Sequence, residues 1–224
     1  MKLRHELKYI TTSTKALALK QSLKALMPRD PHGDENGTYR IISLYFDTLE
    51  GTAFFDKLNG IEYRRKYRIR TYNSDRRFFK LECKYKLQDW TAKESETVSP
   101  QLVRDLCAGN PLKLPEGAGT LTQRFLSERL ATHLVPAVII EYQRTAYVMD
   151  DLDVRVTIDE RVQMDGQSTD LFAVEQPQVP LMESEVVVEV KYNEVLPAAI
   201  AAILRPISMQ RLAVSKYAFG YNKK

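Results

Sequence analysis

The sequence predicts an α+β fold dominated by β-structure, in which an antiparallel sheet carries a few peripheral helices. Several segments alternate charged and apolar residues, which is typical of strands with two different faces. Helical segments are few and short. The chain has 224 residues, 44% of them hydrophobic, without an internal repeat or a long linker, so we expect one domain over residues 1–224.

The overall composition excludes several classes of protein. Lysine and arginine number 33 and aspartate and glutamate 29, and such a balanced, apolar chain is not typical of disorder. No apolar run approaches the ~20 residues of a membrane-spanning helix. The first residues do not resemble a signal peptide, so we expect a cytoplasmic protein. Cys83 and Cys107 lack metal-ligand spacing, and both are predicted to be reduced.

The first half of the chain supplies a helix between two strands and then a hairpin. Residues 3–10 alternate charged and apolar side chains, and residues 39–47 are rich in β-branched and aromatic types. Residues 15–27 place leucines on one helical face, with Ser13 or Thr14 as the cap. Two long strands, 61–72 and 78–87, flank turn-prone residues. The remaining predictions are strands 94–98 (the weakest), 137–149, 154–159 and 185–192, and helices 102–107, 121–134 and 198–204.

The modest net charge of +4 hides a segregation of charge along the chain. Residues 57–93 contain 12 basic and four acidic residues, a net charge of +8, which leaves −4 for the rest. In a strand, residues i and i+2 share a face, so the first hairpin strand aligns its cations on one side. The partner strand does the same. The two aligned sets are Arg64, Lys66, Arg68 and Arg70, and Lys80, Glu82, Lys84 and Lys86.

Two explanations of this basic face remain open. A sheet with one face in water alternates in the same way, and for a single strand this is the more usual explanation. Like charges that face each other on neighbouring strands repel, however, so a face this basic needs a counter-charge. Phosphate suits it, because arginine offers a planar fork and lysine a mobile charge to phosphate oxygens.

Three glutamates interrupt the basic pattern, and each lies two residues from a lysine. Glu6, Glu82 and Glu189 are either partners in cross-strand ion pairs or oxygen ligands of Mg²⁺ or Mn²⁺, with Glu189 the first choice as a metal ligand. The sequence lacks glycine-rich phosphate loops and a recognisable nucleophile motif. Side chains would therefore have to build any phosphate site.

Seven short segments occur in a recognisable order. They are residues 4–9 (RHELKY), 43–48 (SLYFDT), 64–72 (RRKYRIRTY), 80–84 (KLECK), 141–144 (EYQR), 189–192 (EVKY) and 215–217 (SKY). This ordered set resembles the VTC domain, the polyphosphate polymerase module, which is related to the CYTH proteins within the triphosphate tunnel metalloenzymes.

The resemblance implies an eight-stranded antiparallel closed barrel whose inward side chains bind a triphosphate and a divalent metal ion. It implies catalytic roles for Arg68, Arg70, Lys84, Arg144 and Lys216. It implies substrate contacts from Lys8, Lys57, Arg64, Lys66, Lys93, Tyr142, Lys191 and Ser215. Glu189 would bind Mn²⁺ or Mg²⁺, with Glu6 and Glu82 as further candidate ligands.

The resemblance also implies an activity, namely transfer of the γ-phosphate of ATP to a growing polyphosphate chain. CYTH proteins typically begin with an ExExK strand, and Arg4 replaces the first acid here, which favours a polymerase over a hydrolase. Triphosphate hydrolysis and non-catalytic binding of polyphosphate or inositol phosphates are the alternatives. Nucleic-acid binding is disfavoured, because Tyr67 lies on the strand face opposite Arg68. A membrane-protein partner that removes the polymer is left open.

Overall fold

The computed structural model describes residues 4–88, 90–110, 113–173, 178–205, 210–211 and 215–223. The strands are β1 (His5–Thr12), β2 (Thr38–Asp47), β3 (Tyr63–Tyr72), β4 (Phe79–Leu87), β5 (Trp90–Val98), β6 (Val135–Met149), β7 (Val154–Asp165), β8 (Gln178–Pro180), β9 (Glu185–Tyr192) and β10 (Gln210–Arg211). The helices are α1 (Ser13–Leu26), α2 (Thr52–Leu58), α3 (Pro100–Ala108), α4 (Thr120–Thr132), α5 (Ala198–Leu204) and α6 (Lys216–Tyr221).

The strands form one antiparallel sheet, as the sequence predicts. In the described residues its eight longer strands run in the order β1, β9, β7, β6, β2, β3, β4 and β5. The short strands β10 and β8 pair with β1 and β7. Because long connections separate β1 from β9 and β2 from β6, the functional residues of one cavity come from distant parts of the sequence.

The predicted closure of the sheet into a barrel is supported only in part. The edges formed by β1 and β5 meet at one bridge, where the Arg4 amide donates to the Thr91 carbonyl at 3.3 Å. On the outer side, the His5 ring contacts Trp90 at 4.5 Å and Tyr192 at 5.1 Å between centroids. β10 pairs with β1 farther along, so β5 does not extend the ladder there. The result is a curled sheet with a short seam.

The apolar faces of the strands point outward and are covered by helices. Helices α3 and α4 pack on the hairpin side, where Phe125 and Leu106 are buried against the outer residues of β3 and β4. Helices α1 and α5 cover β1, β7 and β9 on the other side, with Leu19 and Ile200 in the contact. A third cluster lies on the inner side of the sheet, where α6 packs on β2 and β6 with Tyr45 and Ile140 in the cluster. The charged faces therefore point into the curled sheet, not into bulk water.

Several elements differ from the sequence-based predictions. The α1 cap is Thr12, which accepts from the Lys15 amide, instead of Ser13 or Thr14. Strands β5 and β7 are longer than predicted. Helices α2 and α6 and strands β8 and β10 were not predicted, because these short elements are held by tertiary contacts that no local pattern shows. Leu3, predicted to begin the first strand, lies outside the described residues.

Two further sequence expectations concern the whole chain. Cys83 and Cys107 are free thiols, as predicted. In the described part of the chain, no helix has the length and apolarity needed to cross a membrane.

The contacts at the seam predict how the sheet edges formed by β1 and β5 are held together, and this prediction can be tested. Replacing Trp90 with Ala removes the outer ring contact with His5, and aromatic contacts of this kind stabilise proteins by about 1 kcal/mol beyond their area. We expect Trp90→Ala to lower the free energy of unfolding by about 1–3 kcal/mol and to accelerate hydrogen exchange at the Arg4 amide. Tyr63→Ala, at an exposed tyrosine on β3, is the control. Unchanged exchange at Arg4 in Trp90→Ala would show that the stack does not hold the seam.

Candidate functional site

A cavity of about 660 Å³ lies inside the curled sheet. In the described part of the chain its walls carry fourteen lysine and arginine side chains and two glutamates. A cavity with so large an excess of cations has a strongly positive potential, and confinement strengthens each contact with an anion. All the sequence-predicted site residues except Glu82 line it.

Strand β3 forms the most basic wall. Arg64, Lys66, Arg68 and Arg70 all line the cavity, because alternate residues of a strand share one face. The intervening residues face outward: Arg65, for example, pairs with a glutamate of α4 at 2.7 Å. The alternation in the sequence therefore separates cations directed at the cavity from residues that hold the helices.

Glu82 does not line the cavity but is buried behind the cations that do. One carboxylate oxygen accepts from Arg68 Nε at 2.7 Å, and the other accepts from Lys93 Nζ at 2.6 Å. A third cation, Arg70, lies 3.7 Å away. Burial opposes ionisation of Glu82, but these cations outweigh it and hold its pKa far below the usual range. Because Glu82 is buried and does not line the cavity, its contacts favour the ion-pair explanation over the predicted role as a metal ligand.

A second charged network joins β1, β9 and β4. Glu6 accepts from Lys84 Nζ at 2.6 and 2.7 Å and pairs with Lys8 at 3.0 Å. Glu189 pairs with Lys191 at 3.2 Å. In the β1–β9 register Glu6 faces Lys191 and Lys8 faces Glu189, so the two acids occupy one diagonal of a four-residue checkerboard. All five side chains line the cavity.

Glu6 and Glu189 are the carboxylates that could hold a divalent cation. Burial opposes ionisation of Glu189, but Lys191 and Lys8 outweigh it and keep its pKa well below the usual range. The pKa of Glu6 is also lowered, because Lys8 and its neighbours outweigh burial and the charge of Glu189. The described residues contain no cluster of three metal-ligating side chains. Mg²⁺ commonly uses one or two carboxylates and takes its other ligands from substrate phosphates and water, so this pair fits such an ion.

Strand β7 contributes an acid that the sequence reasoning missed. Asp159 is fully buried and accepts from Arg144 Nε and Nη2 at 2.6 and 2.7 Å. It also accepts from Lys216 Nζ at 2.6 Å. These contacts orient two predicted site residues, one from β6 and one from α6, toward the same cavity. Tyr142 lies between them, and its hydroxyl accepts from Arg70 at 3.1 Å.

A second missed acid, Asp47, fixes two short helices at one end of the cavity. Its carboxylate accepts from the Ala53 and Phe54 amides of α2 at 2.8 and 3.0 Å, and from the Tyr217 hydroxyl of α6. Helix α2 thereby places Lys57 in the cavity wall, and the start of α6 places Ser215 there. Asp47 occurs within the SLYFDT segment, but nothing in its sequence neighbourhood indicates this structural role.

Lys66 lies in a different electrostatic environment from the paired cations. Its ammonium lies 3.4 Å from Ser215 Oγ and 4.8 Å from the centroid of the Tyr217 ring. In the described residues no carboxylate pairs with it. Burial, reinforced by the positive charges of Lys8, Arg64 and Lys57, lowers the pKa of Lys66 to about 7. In the described residues this end of the cavity therefore holds a buried cation, Lys66, that lacks a carboxylate partner, as an anion-binding site requires.

Comparisons with known proteins agree with this architecture. The sequence matches the family described as the VTC domain over residues 3–223. The fold resembles that of a candidate adenylate cyclase from Bacillus halodurans, with a TM-score of 0.55, 15% identity and coverage of 96% of each chain. A candidate adenylate cyclase from Vibrio parahaemolyticus gives a TM-score of 0.52, 11% identity and 97% coverage of each chain. No curated protein matches the sequence.

The environment of Lys66 generates a prediction about pH. Its pKa is about 7 in the folded protein, against about 10.4 for a free lysine side chain, so between these values the unfolded chain binds more protons. The Lys66 charge therefore destabilises the fold below pH 7, and this destabilisation disappears as the pH rises to about 10. We expect Lys66→Met to be more stable than the wild type at pH 6, with a difference that shrinks toward pH 10.

Denaturant unfolding at pH 6, 8 and 10 measures this effect. Lys113→Met, which removes an exposed loop lysine, serves as the control and is expected to show no such trend. A Lys66→Met variant that is less stable than the wild type at pH 6 would contradict the assignment of Lys66 as an uncompensated charge.

Proposed function

This chain belongs to the VTC domain family, and we propose that it transfers the γ-phosphate of ATP to the end of a polyphosphate chain inside the basic cavity. The observation that carries the proposal is the inner face of β3, which directs four cations in a row into an enclosed space. A linear chain of phosphates matches such a row, because each phosphate can meet a cation without bending away from the wall.

The cations act on the substrate by position and charge. Arg68 and Arg70 present guanidinium groups whose orientation is set by Glu82 and Tyr142, so they are held in place before the substrate binds. Arg144 and Lys216 are oriented in the same manner by Asp159. Preorganised cations stabilise negative charge that develops on transferring phosphoryl oxygens, and this electrostatic term is commonly the largest in catalysis.

The proposed reaction needs no covalent intermediate with the protein. A terminal oxygen of the acceptor phosphate attacks the γ-phosphorus, the bond from that phosphorus to the β–γ bridging oxygen breaks, and ADP leaves with the bridging oxygen. Both reactants are anions that repel each other in water. The cavity lowers this barrier because its cations bring the two anions into line.

Glu6 and Glu189 are the residues that would hold Mn²⁺ or Mg²⁺. The ion would neutralise charge on the phosphate oxygens. Lys8, Lys84 and Lys191 surround this pair, so phosphates bound at the ion would also contact ammonium groups.

The alternatives use the same cavity and differ in outcome. A hydrolase would release orthophosphate without lengthening a chain, and a sensor would bind polyphosphate or inositol phosphates without turnover. Nucleic-acid binding finds little support, because Tyr67 is buried and donates to Glu128 of α4 at 2.8 Å. A cytoplasmic location, a single-domain chain and a membrane-protein partner remain predictions from the sequence.

The activity is testable with variants on the two faces of β3. Purified protein with ATP and Mn²⁺ is expected to make acid-insoluble polyphosphate. Removing a preorganised cation from a phosphoryl-transfer site is expected to cost about 100-fold in rate, so Arg70→Ala is expected to lose nearly all activity. Arg65→Ala removes an arginine from the outer face of the same strand and is expected to retain activity within about twofold.

The metal pair supplies a second arm of this experiment. Glu189→Gln keeps the shape of the side chain but removes its charge, and we expect at least a tenfold loss of activity, partly recovered at higher Mn²⁺ concentration. Orthophosphate release without polymer would favour the hydrolase. Tight polyphosphate binding without turnover and without sensitivity to Glu189→Gln would favour the sensor.

A further inference from the structure

The types of side chain that line the cavity change along its length, as the inner face of β3 shows. From one end of the strand to the other this face reads Arg64, Lys66, Arg68, Arg70 and Tyr72. At ~3.4 Å per residue the five side chains span roughly 27 Å. The row of cations therefore ends in an aromatic ring.

The neighbouring strand, β2, also changes from cation contacts to apolar and aromatic side chains at this end. In the β2–β3 register Ile41 faces Tyr72, and Tyr39 lies two residues farther along β2. The rings of Tyr39 and Tyr72 are 6.2 Å apart between centroids, and all three side chains line the cavity. At this end of the cavity β2 and β3 therefore present aromatic and apolar side chains, unlike the end formed by Lys57 and Lys66.

The tyrosines that line the cavity fall into two groups. Tyr45, Tyr142 and Tyr217 are already in contact with cations: Arg68 lies over Tyr45, Lys66 over Tyr217, and both Arg144 and Lys216 over Tyr142. In the described part of the chain, no lysine or arginine lies over Tyr39 or Tyr72. Tyr72 is only half-buried, whereas Tyr39 is buried beside it, so Tyr72 is the ring with an accessible face.

Arg155 completes this end of the cavity. Its guanidinium donates to the Tyr39 hydroxyl at 2.8 Å and pairs with the buried carboxylate of Asp30. Asp30 also accepts from the His32 amide at 3.1 Å. Asp30 therefore neutralises Arg155 and fixes its orientation, so Arg155 offers a planar surface more than an unpaired charge. The cations Lys57 and Lys66 at the opposite end have no such partner in the described residues.

We propose that Tyr72 and Arg155, packed beside the buried Tyr39 and Ile41, form a subsite for the base of a nucleoside triphosphate. This inference rests on the proposed function, because it takes the row from Arg70 to Lys66 as the triphosphate site. Bases stack on aromatic rings and on guanidinium planes, whereas phosphates bind to cations such as the row on β3. The change from cationic to aromatic lining along the cavity thus orients the nucleotide, with its base at Tyr72 and its γ-phosphate toward Lys66.

Binding measurements with two ligands test this subsite. Calorimetric titration of the full chain with β,γ-imido-ATP and with inorganic tripolyphosphate compares a ligand that has a base with one that lacks it. Alanine substitution of a stacking residue weakens binding by about 1–3 kcal/mol per base, or about 5- to 150-fold in Kd. We expect Tyr72→Ala to weaken imido-ATP binding by such a factor and to leave tripolyphosphate binding within about twofold.

Further variants separate stacking from folding. Tyr72→Trp keeps an aromatic face and is expected to bind imido-ATP like the wild type, whereas Tyr72→Leu keeps apolar bulk and is expected to behave like Tyr72→Ala. Tyr63→Ala removes an exposed tyrosine of the same strand that does not line the cavity, and it is expected to change neither affinity.

The outcomes also separate this inference from the function on which it rests. Equal weakening of both ligands by Tyr72→Ala, or no effect on either, would overturn the base subsite while tripolyphosphate binding by the wild type still supported the phosphate site. Failure of the wild type to bind either ligand would overturn the subsite and the proposed function together.

Discussion

The concentration of like charge in one small cavity is the constraint on which the rest of this structure depends. Buried cations are costly unless they are paired and hydrogen-bonded. Four buried acids lie between the cationic groups and separate them from one another: Glu6, Glu82, Asp159 and Glu189. Each acid touches cations from more than one strand or helix, so neutralisation also ties the strands together. The polar interior is therefore a structural element and not only a ligand site.

A charged interior displaces the hydrophobic core to the outside of the sheet. The strands cannot pack their inner faces against one another, so their apolar faces must be covered by helices, as with Leu19 of α1 and Phe125 of α4. This explains why a mainly β protein of this size carries helices on both sides of its sheet. It also explains the alternation of charged and apolar residues in β3, whose charged side chains line the cavity while Tyr67 and Ile69 pack outward.

Much of this architecture could be predicted from the sequence, and the exceptions share a cause. The period of two in residues 64–70 was sufficient to place four cations on one face, because strand geometry is local. The partners of those cations were not predictable in this way. Asp159 and Asp47 act on residues 57 and 170 positions away in the chain, and no local pattern indicates such contacts. Short helices such as α6, held by tertiary contacts, were missed for the same reason.

The separation of cations that line the cavity from cations on the outer surface also determines which anions the protein can bind. Two arginines on the outer surface have acidic partners: Arg40 pairs with Glu141, and Arg65 pairs with Glu128. A polyanion too wide to enter cannot reach the fourteen lysines and arginines that line the cavity in the described part of the chain. An anion narrow and flexible enough to enter the cavity meets Lys66 and its neighbours, whose mutual repulsion it relieves. Relief of that repulsion adds to each phosphate contact, so enclosure makes binding both stronger and more selective for linear phosphates.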